Sequence, residues 1–172
     1  MKLILKWLWL FLLVFIILQP ILSYKSLPDK IAVYFNLFGE PNLWVKKTLF
    51  FIILYLIIGI TNIATASIPS LLKNAPNWMT WFIPNKDYWL SSLENKNECI
   101  EIISITLRVV SLFINLILYL LYQCILEFNI ICVIYTPLKL IPALELMTLL
   151  FLLFYPMLKL RKPKEAKYIW KG

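Results

Sequence analysis

Apolar runs of bilayer-spanning size alternate along this chain with polar, turn-rich connections. About twenty consecutive apolar residues form a helix of about 30 Å, the thickness of a hydrocarbon core. Four runs approach that length, at about 3–22, 48–67, 102–126 and 142–158. The pattern predicts an all-α membrane protein with four transmembrane helices, an ordered outer loop and an ordered inner loop. A single four-helix domain then covers residues 1–172, ending in a basic tail over 159–172. The first run follows Lys2 and carries Lys6 near its start, as a signal peptide would, but it exceeds the usual signal core and no small-x-small cleavage site follows. It is expected to be a retained helix.

The connections carry their own patterns. In residues 23–47, Ile31 to Phe35 has β-strand composition and Gly39 to Asn42 has turn chemistry, which predicts a short extended piece and a tight turn. Tyr34, Phe35, Phe38 and Trp44 suit a membrane-water interface. The second span carries Gly59, Thr61, Asn62 and Thr65, small and polar residues that mark a face packed on other helices. In the inner connection, 68–101, Pro84 fixes its own φ and pushes Ile83 toward extended geometry ahead of Asn85, Lys86, Asp87, Tyr88 and Trp89. Lys86 and Asp87 form a solvated turn pair, or Asp87 caps a helix; Tyr88 and Trp89, with Trp78, Trp81 and Phe82, suit the interface. Ser91 or Ser92 can cap a helix that carries Glu94 in its first turn and continues into the third span. Pro142 fits the first turn of the fourth span.

Composition sharpens the class. At 62% hydrophobic residues and a mean hydropathy of +0.81, the chain is far more apolar than a soluble domain. The net charge of +8 does not imply nucleic acid, because so much of it falls in the tail, at Lys159, Arg161, Lys162, Lys164, Lys167 and Lys171. Basic residues directly after a span anchor its cytoplasmic end and attract anionic lipid. With Lys2, Lys6, Lys73, Lys86 and Lys96 also inside, against Lys25, Lys30, Lys46, Lys47 and Lys139 outside, the bias places both termini in the cytoplasm of a cell-membrane protein.

Candidate chemistry is sparse. There is no histidine, and Cys99, Cys124 and Cys132 lack metal-ligand or CxxC spacing. Asp29 and Asp87 fall in loops on opposite sides, and three glycines make no phosphate-cradling loop. No catalytic residue, cofactor or metal site is expected, and the chain is read as non-enzymatic. Inside the spans, Arg108 either snorkels to the inner head groups or forms a polar site with Asn62 and Thr65 between the second and third spans. Toward the outer side, Gln19, Glu127, Lys139 and Glu145 are expected at similar depths, with Lys139 paired to Glu127 or Glu145.

Two loops carry a family pattern. Leu27-Pro28-Asp29-Lys30-Ile31-Ala32-Val33, followed by Phe35-Asn36, Gly39, Pro41-Asn42 and Trp44, resembles the N-terminal domain, of unknown function, of bacterial SdpI-like membrane proteins. The run Pro84-Asn85-Lys86-Asp87-Tyr88-Trp89-Leu90 resembles the second signature of that family, and the helix ending near Glu127-Phe128-Asn129 fits it as well. The resemblance covers about residues 1–130. It implies this topology, and some members are associated with immunity to a toxin peptide and with signalling. The chain departs at Tyr34, where the family often has histidine, and at Leu43, where it often has a small residue.

Two functions follow as expectations. The first is a binding module (accessory, sensor or immunity-type) whose outer loop, through Pro28, Asp29, Tyr34, Phe35, Asn36, Gly39, Pro41 and Trp44, meets an extracytoplasmic protein or peptide. The second is a transport component using Asn62, Thr65, Arg108 and Glu145.

Overall fold

The computed structural model describes residues 2–36, 40–74, 80, 83–134 and 140–161. Gly39, Phe38, Trp78, Trp81, Phe82, Lys139 and the tail from residue 162 lie outside them. The elements are helix α1 (Lys2–Ser23), strands β1 (Lys30–Phe35) and β2 (Pro41–Lys46), helix α2 (Lys47–Lys73), the short helix α3 (Lys86–Trp89), and helices α4 (Leu93–Ile131) and α5 (Leu140–Arg161). Helices α1, α2, α4 and α5 are each long and apolar enough to cross a membrane. A helix satisfies most backbone hydrogen bonds internally, as a bilayer requires of a spanning segment, although Pro20, Pro69 and Pro156 each remove one donor from α1, α2 and α5. Leucine, isoleucine and phenylalanine side chains stand exposed along α1, α2 and α5, as lipid-facing surfaces do.

The bundle is organised around α4. The other three spanning helices all pack on it, whereas α1 and α2 share few contacts with one another. Its buried face carries small and polar residues, Cys99, Thr106, Ser111 and Asn115, together with Ile103, Val110 and Tyr122. Small side chains let neighbouring backbones approach, and in lipid, where apolar burial gains little, close packing and interhelical hydrogen bonds drive association. α5 is apolar all round and little of it is buried, so it lies against the bundle and largely faces lipid.

One helix boundary differs from that expected: α2 continues to Lys73, past the span end at 67, whereas α4 starts at Leu93, as a cap at Ser91 or Ser92 implies. Helix persists past the apolar run because Leu72 is buried with Ile83, Trp89, Ile100 and Leu160 at that end of the bundle. Pro69 is accommodated inside α2. The start of α4 is capped by Ser92, whose hydroxyl accepts from the Asn95 N–H at 3.1 Å, and Glu94 lies in its first turn. Asp87 is not that cap. Gly59, expected on a packed face, has no atom within 4 Å of the place a Cβ would occupy.

The connection between α1 and α2 is an antiparallel hairpin rather than one extended piece and a turn. Ile31 faces Val45, Ala32 faces Trp44 and Phe35 faces Pro41, with a register shift after Ala32. Pro41 and Asn42 therefore begin a strand. Pro41 takes its first position, where a missing N–H costs little. Asn36 closes the open end: its N–H donates to the Glu40 carbonyl at 2.9 Å, and its side-chain Oδ1 accepts from the Glu40 N–H at 2.9 Å.

Candidate functional site

A two-stranded hairpin alone is marginal in water, so its order here must come from docking. Leu27 and Ile31 are buried against Phe51 of α2, and the Phe35 ring meets Phe128 of α4 edge-on at 4.6 Å. The side chain of Asn129, near the end of α4, grips the middle of β1. Its Oδ1 accepts from the Ala32 N–H at 2.9 Å, and its Nδ2 donates to the Ala32 carbonyl at 3.0 Å. One amide thus stands in for a third strand along the edge of β1. Lys47 fastens the root: its N–H donates to the Asp29 carbonyl at 2.8 Å, its Nζ donates to the Leu27 carbonyl at 2.8 Å, and the ammonium sits 4.8 Å from the Tyr24 ring centroid. The Asp29 carboxylate, 3.9 Å away and fully exposed, adds little.

Asn129→Ala would leave both peptide groups of buried Ala32 unpartnered. At about 1–3 kcal/mol each, partly offset by water, this predicts a docking loss of about 2 kcal/mol. Amide exchange across 30–35 should then quicken on the order of 30-fold, with the spanning helices unchanged. Protection equal to wild type in hydrogen exchange would contradict the clamp.

The candidate outer-loop residues divide into two groups. Phe35, Asn36 and Pro41 are spent on holding the hairpin. Tyr34, Leu43 and Trp44 expose half or more of their surface. Pro28 and Asp29 are also exposed. Lys30 and Lys46 face each other across the strands, both exposed, which sets two ammonium groups side by side.

Midway along the bundle, α1, α2 and α4 are tied by a buried polar knot. Asn62 Oδ1 accepts from Trp9 Nε1 at 3.0 Å, from the Ser111 hydroxyl at 3.0 Å and from Asn115 Nδ2 at 2.9 Å. Asn62 Nδ2 returns a bond to Asn115 Oδ1 at 3.0 Å and another to the Ile58 carbonyl at 2.8 Å. Trp9 Nε1 is shared with Ser111 Oγ at 3.0 Å. Asn62, Ser111 and Asn115 are buried, and each finds partners. Nearer the hairpin, Ser23 and Tyr122 hydrogen-bond through their hydroxyls, and Tyr55 donates to the Ile17 carbonyl at 3.2 Å.

Asn62 therefore does not meet Arg108, as the sequence suggested. The helical register places Asn62 level with Ser111 and Asn115, and Arg108 one turn away, level with Thr65. Thr65 lies beside Arg108, although its hydroxyl is bonded to the Thr61 and Asn62 carbonyls at 2.9 and 3.2 Å. Glu145, exposed near the start of α5, belongs to the opposite end of the bundle. Glu127 has a partner, and Gln19 Oε1 is buried without a hydrogen bond among the described residues.

Between the knot and the chain end that holds Lys6 lies a cavity of about 570 Å³, bounded by α1, α2 and α4. Lys6, Lys73 and Arg108, one from each helix, line it, with one carboxylate among the described residues, that of Glu101. Arg108 is half-buried, and its guanidinium makes no hydrogen bond or ion pair among the described residues. An arginine at the centre of a spanning helix costs about 2.5–3.5 kcal/mol on insertion scales, less toward the interface. Trp9 and Ser111 form the floor, shared with the knot. Above it, Ile16, Leu54, Ile58 and Tyr122 pack into an apolar cluster.

At the same end of the bundle, the run from Pro84 to Leu90 closes α5. Asn85 takes the left-handed conformation at φ 52°, ψ 42°, which asparagine tolerates better than most residues. Its Nδ2 donates to the Leu160 and Arg161 carbonyls at 3.1 and 2.6 Å, and buried Trp89 donates its Nε1–H to Leu160 at 2.9 Å. The last carbonyls of a helix lack partners within it, and two side chains from a loop some seventy residues earlier supply them. Trp89 is therefore a packed anchor rather than an interfacial ring. Asp87 and Lys86 are exposed, Tyr88 packs on the Trp89 ring, and Pro84 starts the turn.

Sequence reasoning missed Trp9, Ser111, Asn115 and Asn129. Arg108, Ser111 and Asn115 stand at i, i+3 and i+7, a polar stripe on an otherwise apolar helix, and that spacing was the available signal.

These features define a multi-pass membrane protein with a docked hairpin at one end and a cationic cavity at the other. Residues 10–59 match the family model of a domain of unknown function, DUF1648. That segment contains the hairpin and its flanking half-helices and excludes the cavity. No curated protein and no solved structure matches the chain.

Proposed function

We propose that this chain is a non-enzymatic binding module of the cell membrane, of the SdpI-like kind, with both termini in the cytoplasm and the hairpin outside. In this role, as an accessory, sensor or immunity-type protein, it receives an extended segment of an extracytoplasmic peptide or protein on β2. The observation that carries the reading is the asymmetry of the hairpin. β1 is clamped by Asn129, while β2 presents Leu43 and Trp44 and has no further strand beside it among the described residues. An open strand edge next to exposed rings is the geometry of strand addition. The facing Lys30 and Lys46 favour a segment carrying an acidic residue, since like charges opposite each other are unfavourable until a counter-charge arrives. The match over residues 10–59 is centred on this hairpin.

A photo-crosslinker placed at position 44 tests the reading in native membranes, with position 147 on α5 as the lipid-facing control. A discrete adduct at 44, reduced at least about tenfold by Lys30→Glu with Lys46→Glu, is the expected result; the factor corresponds to about 1.4 kcal/mol. Adducts that are absent, or indifferent to the charge reversal, would overturn it.

The cavity favours a second reading, a transport component. Against it stands the closed floor, because the Trp9–Asn62–Ser111–Asn115 knot and the apolar cluster beyond leave no polar route onward among the described residues.

A further inference from the structure

Among the described residues no polar route leads on from the cavity, and its chemistry points to a resident ligand rather than to passage. We propose that it binds the phosphate group of an anionic membrane lipid. Four observations converge. Three helices contribute one cation each, Lys6, Lys73 and Arg108, and among the described residues the lining adds one carboxylate, that of Glu101, so the lining attracts an anion. Arg108 reaches into the wall with its guanidinium unbonded among the described residues, although burial within a span strongly favours pairing. A planar guanidinium offers two parallel donors to a phosphate, and the flanking ammonium groups add point charge. Ser70 and Ser104 bring hydroxyls to the same space.

The remaining lining selects an amphiphile over a free ion. Ile100 and Ile105 provide apolar wall beside the cations, so the space is polar in one part and oily in another. Its volume of about 570 Å³ falls within the range of about 300–1,000 Å³ found for small-ligand sites, enough for a head group and the first carbons of its tails. α1 and α2 each pack on α4, and their side-chain contacts with one another, Trp9–Asn62, Tyr55–Ile17 and the Ile16 cluster, lie beyond the cavity floor, so acyl chains can leave between them on the cavity side. Basic clefts between spanning helices are a recurrent form of lipid head-group site. This inference is independent of the hairpin reading, since none of these residues falls in the hairpin.

The test uses the full chain, purified in mild detergent, exchanged to delipidated micelles and examined by native mass spectrometry. Phosphatidylglycerol, phosphatidylcholine and inorganic phosphate are added in separate arms. The expected result is one retained phosphatidylglycerol per chain, with at least tenfold weaker retention in Arg108→Gln and intermediate loss in Lys6→Gln and Lys73→Gln. Arg108→Lys should restore part of the binding, and Lys25→Gln, outside the cavity, should bind as wild type. The lysine variants keep the proposal falsifiable if Arg108→Gln proves polydisperse. Saturable binding of inorganic phosphate without lipid retention would overturn the lipid as carrier. Retention equal for both lipids, or unchanged in all three cavity variants, would overturn the site.

Discussion

Asn62→Leu is expected to destabilise the protein by about 2–4 kcal/mol, measured by reversible unfolding in mixed micelles. Interhelical hydrogen bonds in membranes average about 0.6 kcal/mol and rarely exceed about 1.7. Asn62 makes four of them at once, to Trp9, to Ser111 and reciprocally with Asn115. Their loss also strands the Asn115 amide, which is fully buried, and an orphaned polar group costs more than an average bond gains. Asn115→Leu alone loses two of the four bonds, and about 1–2 kcal/mol is expected. The double variant should cost less than the sum by about 1 kcal/mol, because the reciprocal pair can be lost only once. A destabilisation of Asn62→Leu below about 0.5 kcal/mol, the range of ordinary surface changes, would mean that the knot is incidental.

A second large effect is expected at Trp89. Trp89→Ala removes a buried ring packed with Leu72, Ile83 and Ile103 and uncaps Leu160 at the end of α5, for an expected loss of about 3–5 kcal/mol. Trp89→Phe keeps most of the packing and deletes the indole N–H, so about 0.5–1.5 kcal/mol is expected. Asn85 still holds Leu160 and Arg161 in that variant, and Asn85→Ala combined with Trp89→Phe should free the end of α5. Thiol labelling of a cysteine placed at position 160, which is buried in wild type, reports the release. Equal labelling in wild type and the double variant would remove the case for a latch.

The spans were legible because the bilayer dictates length and forbids open backbone, so hydropathy alone finds them. The hairpin was only half legible. Ile31 to Phe35 reads as a strand, but Pro41 and Asn42 read as turn residues, and β2 exists because β1 is held from outside by Asn129, ninety-seven positions away. The roles of the run from Pro84 to Leu90 were misassigned for a similar reason. Nothing local reveals that Asn85 and Trp89 serve carbonyls at Leu160 and Arg161. Thr65 and Arg108 do share a cavity wall, but Asn62 is bonded one turn further along, to Ser111 and Asn115, a pairing set by how α2 packs on α4 rather than by spacing within either helix.

At about 1.5 Å per residue, the 39 residues of α4 make a rod of about 58 Å, nearly twice the hydrocarbon core, with neither proline nor glycine along it. Its two ends therefore move as one body. Asn129, which grips the hairpin, and Arg108, which lines the cavity, are separated by about 30 Å of unbroken helix. A tilt imposed at the hairpin is therefore expected to reach the cavity through an unbroken shaft, with no proline or glycine hinge between them to absorb it.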